Sequence, residues 1–174
     1  MIARAAALAL SLFLGACAIA PSSQPLPLLS AVPSSFEMSG RLALRMGQRS
    51  EIAKLRWTHR RDADTWVIAS PLGNEVARID SAPGGATLTQ AGGGGYQADS
   101  FADLTERVLG VALEPAQLAA WLHGAPPAND QGWTVTLDEK QAAGNVEIAR
   151  RVSATRGDTT VRLVVDEYRA LDSP

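Results

Sequence analysis

Few side chains in this chain are placed to do covalent chemistry. Cys17 is the only cysteine among 174 residues, and only two histidines, His59 and His123, accompany it. A zinc site needs a cluster of Cys, His or carboxylate ligands, which a lone cysteine and two distant histidines do not supply. No Gly-x-Ser-x-Gly elbow is present. The glycine run 92–95 leads into Tyr96 and not into the Lys-Ser/Thr that completes a phosphate loop. His59 lies in the basic stretch Thr58-His59-Arg60-Arg61 and reads as a solvated side chain. His123 closes a helical segment, where an imidazolium suits the helix dipole, and reads as structural. Without a nucleophile–base pair, metal or cofactor, this chain is expected to act through differences in binding and not as an enzyme.

Cys17 has a different context. It ends the stretch Leu14-Gly15-Ala16-Cys17, behind an apolar run from Ala5 to Gly15 that follows Arg4. A charged start, an apolar run and small residues at a cleavage point describe a secretory signal peptide. The run is too short to span a bilayer, which takes roughly 20 apolar residues. The Leu-x-small-Cys ending resembles a bacterial lipobox. That resemblance implies cleavage before Cys17, diacylglycerol on its sulfur and an acyl group on the new amine; the alternative is a signal peptide with an incidental cysteine. Each chain gains about 0.8 kcal/mol per buried methylene, and two or more anchor stably. Ala18, where an Asp would favour the inner membrane, implies the outer membrane.

The segments that follow must carry any remaining function. Removing residues 1–16 leaves 158, enough for one domain with a sufficient core and no disulfides. With 16 basic and 18 acidic residues the chain lacks the basic footprint of a nucleic-acid partner. Residues 17–35, with prolines and serines throughout, read as a tether reaching on the order of 50 Å; residues 36–174 read as one domain. Alternation of apolar and polar residues predicts strands at Phe36–Met46, Glu51–His59, Asp64–Ser70 and Asn74–Asp80, with a short fifth at Thr87–Gln90. Ser70-Pro71-Leu72-Gly73 between them is a tight turn. A leucine at its tip either folds back on the hairpin or stands exposed.

The interval 91–127 changes character. Gly92–Gly95 reads as a loop. Ser100 with Asp103 reads as a helix cap, and Phe101, Leu104, Val108 and Leu109 follow at helical spacing until Gly110. Pro115 opens a second helix carrying Leu118, Trp121 and Leu122, closed by Gly124 and Pro126-Pro127. Strands resume at Trp133–Leu137, Val146–Thr155 and Thr159–Tyr168. The fold class is α+β, strand-dominated: a curved antiparallel sheet whose concave face the short helical pair covers, enclosing an apolar space. Leu55, Trp57, Leu104, Val108, Leu118, Trp121 and Leu122 are the candidate residues of cavity and lid; for the tryptophans and the helix residues ordinary core packing is the alternative.

In order behind the lipobox, these landmarks resemble the LolB family of outer-membrane lipoprotein receptors. The landmarks are Phe36-x-x-Ser39-Gly40-Arg41-Leu42-Ala43, Leu55-x-Trp57, Ser70-Pro71-Leu72-Gly73, Leu109-Gly110 and Leu118-x-x-Trp121-Leu122-x-Gly124. Arg150-Arg151 and Val161-Arg162-Leu163-Val164-Val165-Asp166 complete the series. The resemblance implies an incomplete antiparallel β-barrel with a short helical lid over an apolar cavity, in a protein that takes lipoproteins from the soluble carrier LolA, holds their acyl chains and passes them to outer-membrane lipids. It places Trp57 and Trp121 near the cavity and lid, and gives Leu72, flanked by Pro71 and Gly73, the role of delivery into the membrane. No cofactor is implied, and a monomer is expected. The chain departs from the family in its compact segment after Trp133 and in Tyr168, where a tryptophan is common. Two other classes remain: a lipid- or small-ligand-binding lipoprotein without a transfer role, and a structural envelope-assembly lipoprotein.

Overall fold

A computed structural model describes residues 32–124, 131–144 and 146–171. Cys17, the expected leader and most of the expected tether lie outside these residues. The strands before the helices are β1 (Ser35–Met46), β2 (Arg49–Arg60), β3 (Ala63–Ala69), β4 (Glu75–Ala82), β5 (Gly85–Gln90) and β6 (Gly95–Ala98). Two helices follow, α1 (Phe101–Leu109) and α2 (Pro115–Leu122), then β7 (Thr134–Ala143), β8 (Val146–Arg156) and β9 (Thr159–Ala170). All pairings are antiparallel, in one sheet ordered β6-β5-β4-β3-β2-β1-β9-β8-β7. The order leaves β6 and β7 as edges, so the barrel is not closed.

Strand parity decides which residues face inward. On β2 Leu55 and Trp57 are buried while Lys54 and Arg56 are exposed, and on β9 Val161, Leu163 and Val165 are buried. The two helices cover this inner face, α1 packing on β5 and β6 and α2 on β8. Local chemistry sets the helix ends. The Ser100 hydroxyl accepts the Asp103 N–H at 3.0 Å, and Gly110 takes the left-handed conformation that stops α1. Pro115 opens α2 at a position that needs no donor.

Two elements differ from the sequence expectation. The glycine run is not all loop: the chain turns at Gln90–Gly93, and Gly95 enters β6. A Cβ on Gly95 would collide with the Leu88 carbonyl, so the glycine permits a close approach that carries no alternation signal. Strand β7 runs to Ala143, beyond the expected end at Leu137. Its register slips on either side of Glu139, and the polar sequence there hides the strand. The domain also takes in part of the tether, since Val32 packs against the core.

Gly40 explains the Ser-Gly of the first strand. The β1–β9 register shifts between Ser39 and Gly40, and a Cβ at Gly40 would overlap the Val164 carbonyl oxygen. Gly40→Ala is expected to destabilise the fold by at least about 1–3 kcal/mol. Gly92→Ala, with open space around its position, serves as the near-neutral control in the same denaturant titration.

Candidate functional site

Pro71 restricts the backbone of the turn between β3 and β4, and Gly73 supplies a φ of +94°. The Gly73 N–H donates to the Ser70 carbonyl at 2.8 Å, and the Ser70 N–H donates to the Asn74 carbonyl at 2.9 Å. This small frame leaves Leu72 with 89% of its surface exposed. Antiparallel order brings the ends of β3 and β5 and the beginnings of β2, β4 and β6 to one end of the sheet. Ile52, Val76 and Tyr96, all large and exposed, lie toward that same end. Leu72 stands out in the sequence and these three do not, because their exposure depends on which strands neighbour them.

The inner face is packed. Leu55, Trp57, Leu104, Leu118, Trp121 and Leu122 are each at most 3% exposed and belong to one apolar cluster. Trp66 sits 5.5 Å from Trp57 and 4.8 Å from Phe101 between ring centroids. Trp121 sits 5.7 Å from Trp133. In this conformation these side chains pack together between sheet and helices. Val108 is the exception among the candidates: it is 37% exposed on α1, and the buried place on that turn belongs to Thr105. The Thr105 hydroxyl donates to the Phe101 carbonyl at 3.0 Å and accepts the Leu113 N–H at 2.9 Å. Helical spacing alone assigned Val108 inward; the polar side chain proved the better fit because the loop after α1 offers it a donor.

A polar cluster that the sequence did not reveal closes the opposite end. Phe36 lies at its centre, its ring 4.9 Å from Trp57, 5.1 Å from His59, 5.1 Å from His123 and 5.7 Å from Tyr168. His59 is not a solvated side chain. Its Nδ1 lies 2.9 Å from Asp64 Oδ1, which also accepts the Trp57 indole N–H at 2.6 Å. His123 is fully buried at the end of α2. It acts structurally, as expected, but through a neutral ring: its Nδ1 donates to the Ala119 carbonyl at 2.7 Å, and its Nε2 accepts the Tyr168 hydroxyl at 2.8 Å. Burial pushes the Tyr168 phenol up to about 12, keeping its proton available for this bond. Tyr168 thus ties α2 to β9.

The model of the family described as "Outer membrane lipoprotein LolB" matches residues 34–168. The chain belongs to the LolB family. Outer-membrane lipoproteins LolB of Chromobacterium violaceum and Azoarcus sp. are similar to it, at 34% and 30% identity. The first match covers 97% of this chain and 100% of the relative, the second 91% and 90%. The LolB of Thiobacillus denitrificans is 31% identical over 90% of this chain and 92% of its own length. Among solved structures, a LolA superfamily protein of Nitrosomonas europaea superposes with a TM-score of 0.45 at 8% identity, covering 84% of this chain and 90% of that one. Membership makes the chain an outer-membrane lipoprotein receptor of lipoprotein localisation.

Two outcomes follow from this packing. Leu104→Ala is expected to cost about 2–5 kcal/mol in urea unfolding, and Val108→Ala less than about 1 kcal/mol. For His123, burial lowers the imidazole below its ordinary 6.5. The unfolded chain then binds a proton that the folded chain resists, so His123 contributes stability fully above that pH, and the contribution is lost as pH falls below it. The unfolding midpoint of wild type should drop more steeply between about pH 7 and pH 5 than that of His123→Gln. Equal slopes would assign the acid sensitivity to other groups.

Proposed function

We propose that this protein is the lipid-anchored acceptor that takes lipoproteins from a soluble LolA-type periplasmic carrier and releases them into the outer membrane. The exposed Leu72, framed at one end of a sheet whose inner face is apolar, is the observation that supports this reading most directly. Burying a leucine gains about 1.5–3 kcal/mol, too little to anchor a protein but enough to bias an encounter with lipid. Ile52, Val76 and Tyr96 extend the apolar character of that end.

Anchoring falls to Cys17, exposed as the mature N-terminus once residues 1–16 are removed. The tether then enters the sheet at Ser35, at the end away from Leu72. Strand β2, with 12 residues, is roughly 40 Å long. A tether on the order of 50 Å therefore lets the Cys17 acyl chains and the Leu72 turn meet one bilayer. Cargo acyl chains would occupy the inner face once α1, with Leu104, lifts from it, while α2 stays on β8 and keeps Leu118, Trp121 and Leu122 at the wall of the opened space. The apolar surface of the cargo replaces that of α1, so opening exposes little to water. Transfer follows a ladder of affinities from carrier to receptor to bilayer, each tenfold step requiring about 1.4 kcal/mol. The protein works as a monomer, without catalysis or a cofactor.

Transfer of a radiolabelled lipoprotein from purified carrier tests the reading. The mature chain (residues 17–174) with Cys17→Ala is compared with the same chain carrying Leu72→Glu, followed by addition of vesicles. Both should capture the cargo, and only the Leu72→Glu form should lose delivery, by tenfold or more on the scale of one buried leucine. No capture by the folded chain would overturn the receptor reading. Equal delivery would remove Leu72 from the transfer step.

A further inference from the structure

Four tryptophans line or approach the inner face, and their indole N–H groups are treated differently. Trp57 donates to Asp64. Trp66, Trp121 and Trp133 have buried N–H groups with no acceptor among the described residues. A buried indole normally finds a partner, because an unpaired donor in a dry site destabilises the fold. Trp121 on α2 and Trp133 at the start of β7 are 3% and 5% exposed and meet edge to face, their planes 66° apart. That arrangement lets one N–H point at the other ring's π face, a weak contact, but it cannot serve both donors. Beside them, the Arg156 guanidinium lies 4.5 Å from the Trp133 ring centroid. Arg156 is half-buried, and none of the ion pairs among the described residues includes it.

The site thus joins two kinds of group: two neutral donors, buried in the apolar cluster without acceptors among the described residues, and a half-buried cation over one of the two rings. A purely hydrocarbon ligand gives those donors nothing. The linkage region of an acylated cysteine fits them, because its ester and amide carbonyl oxygens lie between apolar tails and a polar peptide. We propose that Trp121 and Trp133 form a carbonyl-binding subsite that reads the ester linkages of the cargo lipid, with Arg156 holding the Trp133 ring in place. This rests on the acyl-binding reading above and adds which atoms of the cargo are recognised. Trp66 stands apart, against Trp57 and Phe101 on the α1 side, and is not part of the subsite.

The test compares two probes on the mature chain carrying Cys17→Ala: a dipalmitoylglyceryl-cysteine peptide and its dihexadecyl ether counterpart, which lacks the ester carbonyls. Affinities are read by isothermal calorimetry. The wild-type chain should favour the ester by about fivefold for each hydrogen bond. Trp121→Phe and Trp133→Phe keep an aromatic ring and remove only the donor-bearing part. Each should cut the preference about fivefold and leave ether affinity unchanged. Their unfolding midpoints should not fall as an alanine's would, since the lost donor was unpaired. Equal binding of ester and ether by wild type overturns the subsite, as does an unchanged preference in both variants or an equal loss in Trp66→Phe. Failure of both probes to bind overturns the acyl-receptor reading itself, which separates the two hypotheses.

Discussion

The pairing of β1 with β9 is the constraint on which the rest of the molecule depends. It joins residues from opposite ends of the chain, Met38 opposite Tyr168 and Leu44 opposite Val161, in the middle of the sheet. Loop closure over such a separation costs chain entropy, which the long pairing and the apolar face beneath it offset. Once formed, it delivers Tyr168 to Phe36 and to His123 at the end of α2. The entry of the chain, the last strand and the second helix thereby meet at one aromatic ring. Gly40 belongs to the same constraint, because the bulge there lets the two backbones approach closely.

The two ends of the sheet carry different chemistry for physical reasons. At the Phe36 end the buried polar groups answer one another: Asp64 accepts from Trp57, and His123 bonds both Ala119 and Tyr168. Satisfied polar networks specify one geometry. At the other end large apolar side chains remain in solvent, led by Leu72. The helices between these ends have nine and eight residues, too short to hold their shape alone. Their stability comes from the sheet they cover. In the proposed function, apolar cargo offering a comparable surface competes for that sheet.

Much of this was legible in local sequence. Ser100 and Gly110 mark α1 because a hydroxyl and an αL residue solve local backbone problems. Pro115 marks α2, and Pro71 with Gly73 marks the turn that exposes Leu72, for the same kind of reason. Alternation gave the inward face of β1, β2 and β9. Strand β6 escaped notice because glycine shows no parity, and the length of β7 because an edge strand is only partly buried on either face. Val108 was placed inward by spacing that cannot tell which turn of α1 meets the sheet.

The sequence by itself determined the chain's class and its punctuation: a strand-rich domain interrupted by two short helices, and family landmarks in order. These depend on interactions between residues a few positions apart. Only the tertiary structure decided which side chains share a site. His59 with Asp64, His123 with Tyr168, and Trp121 with Trp133 beside Arg156 are brought together by strand register and helix placement. The last two of these links join residues remote in sequence, so no periodicity records them. Whether a buried donor has an acceptor is decided by the completed packing, because the acceptor must arrive from another strand or helix.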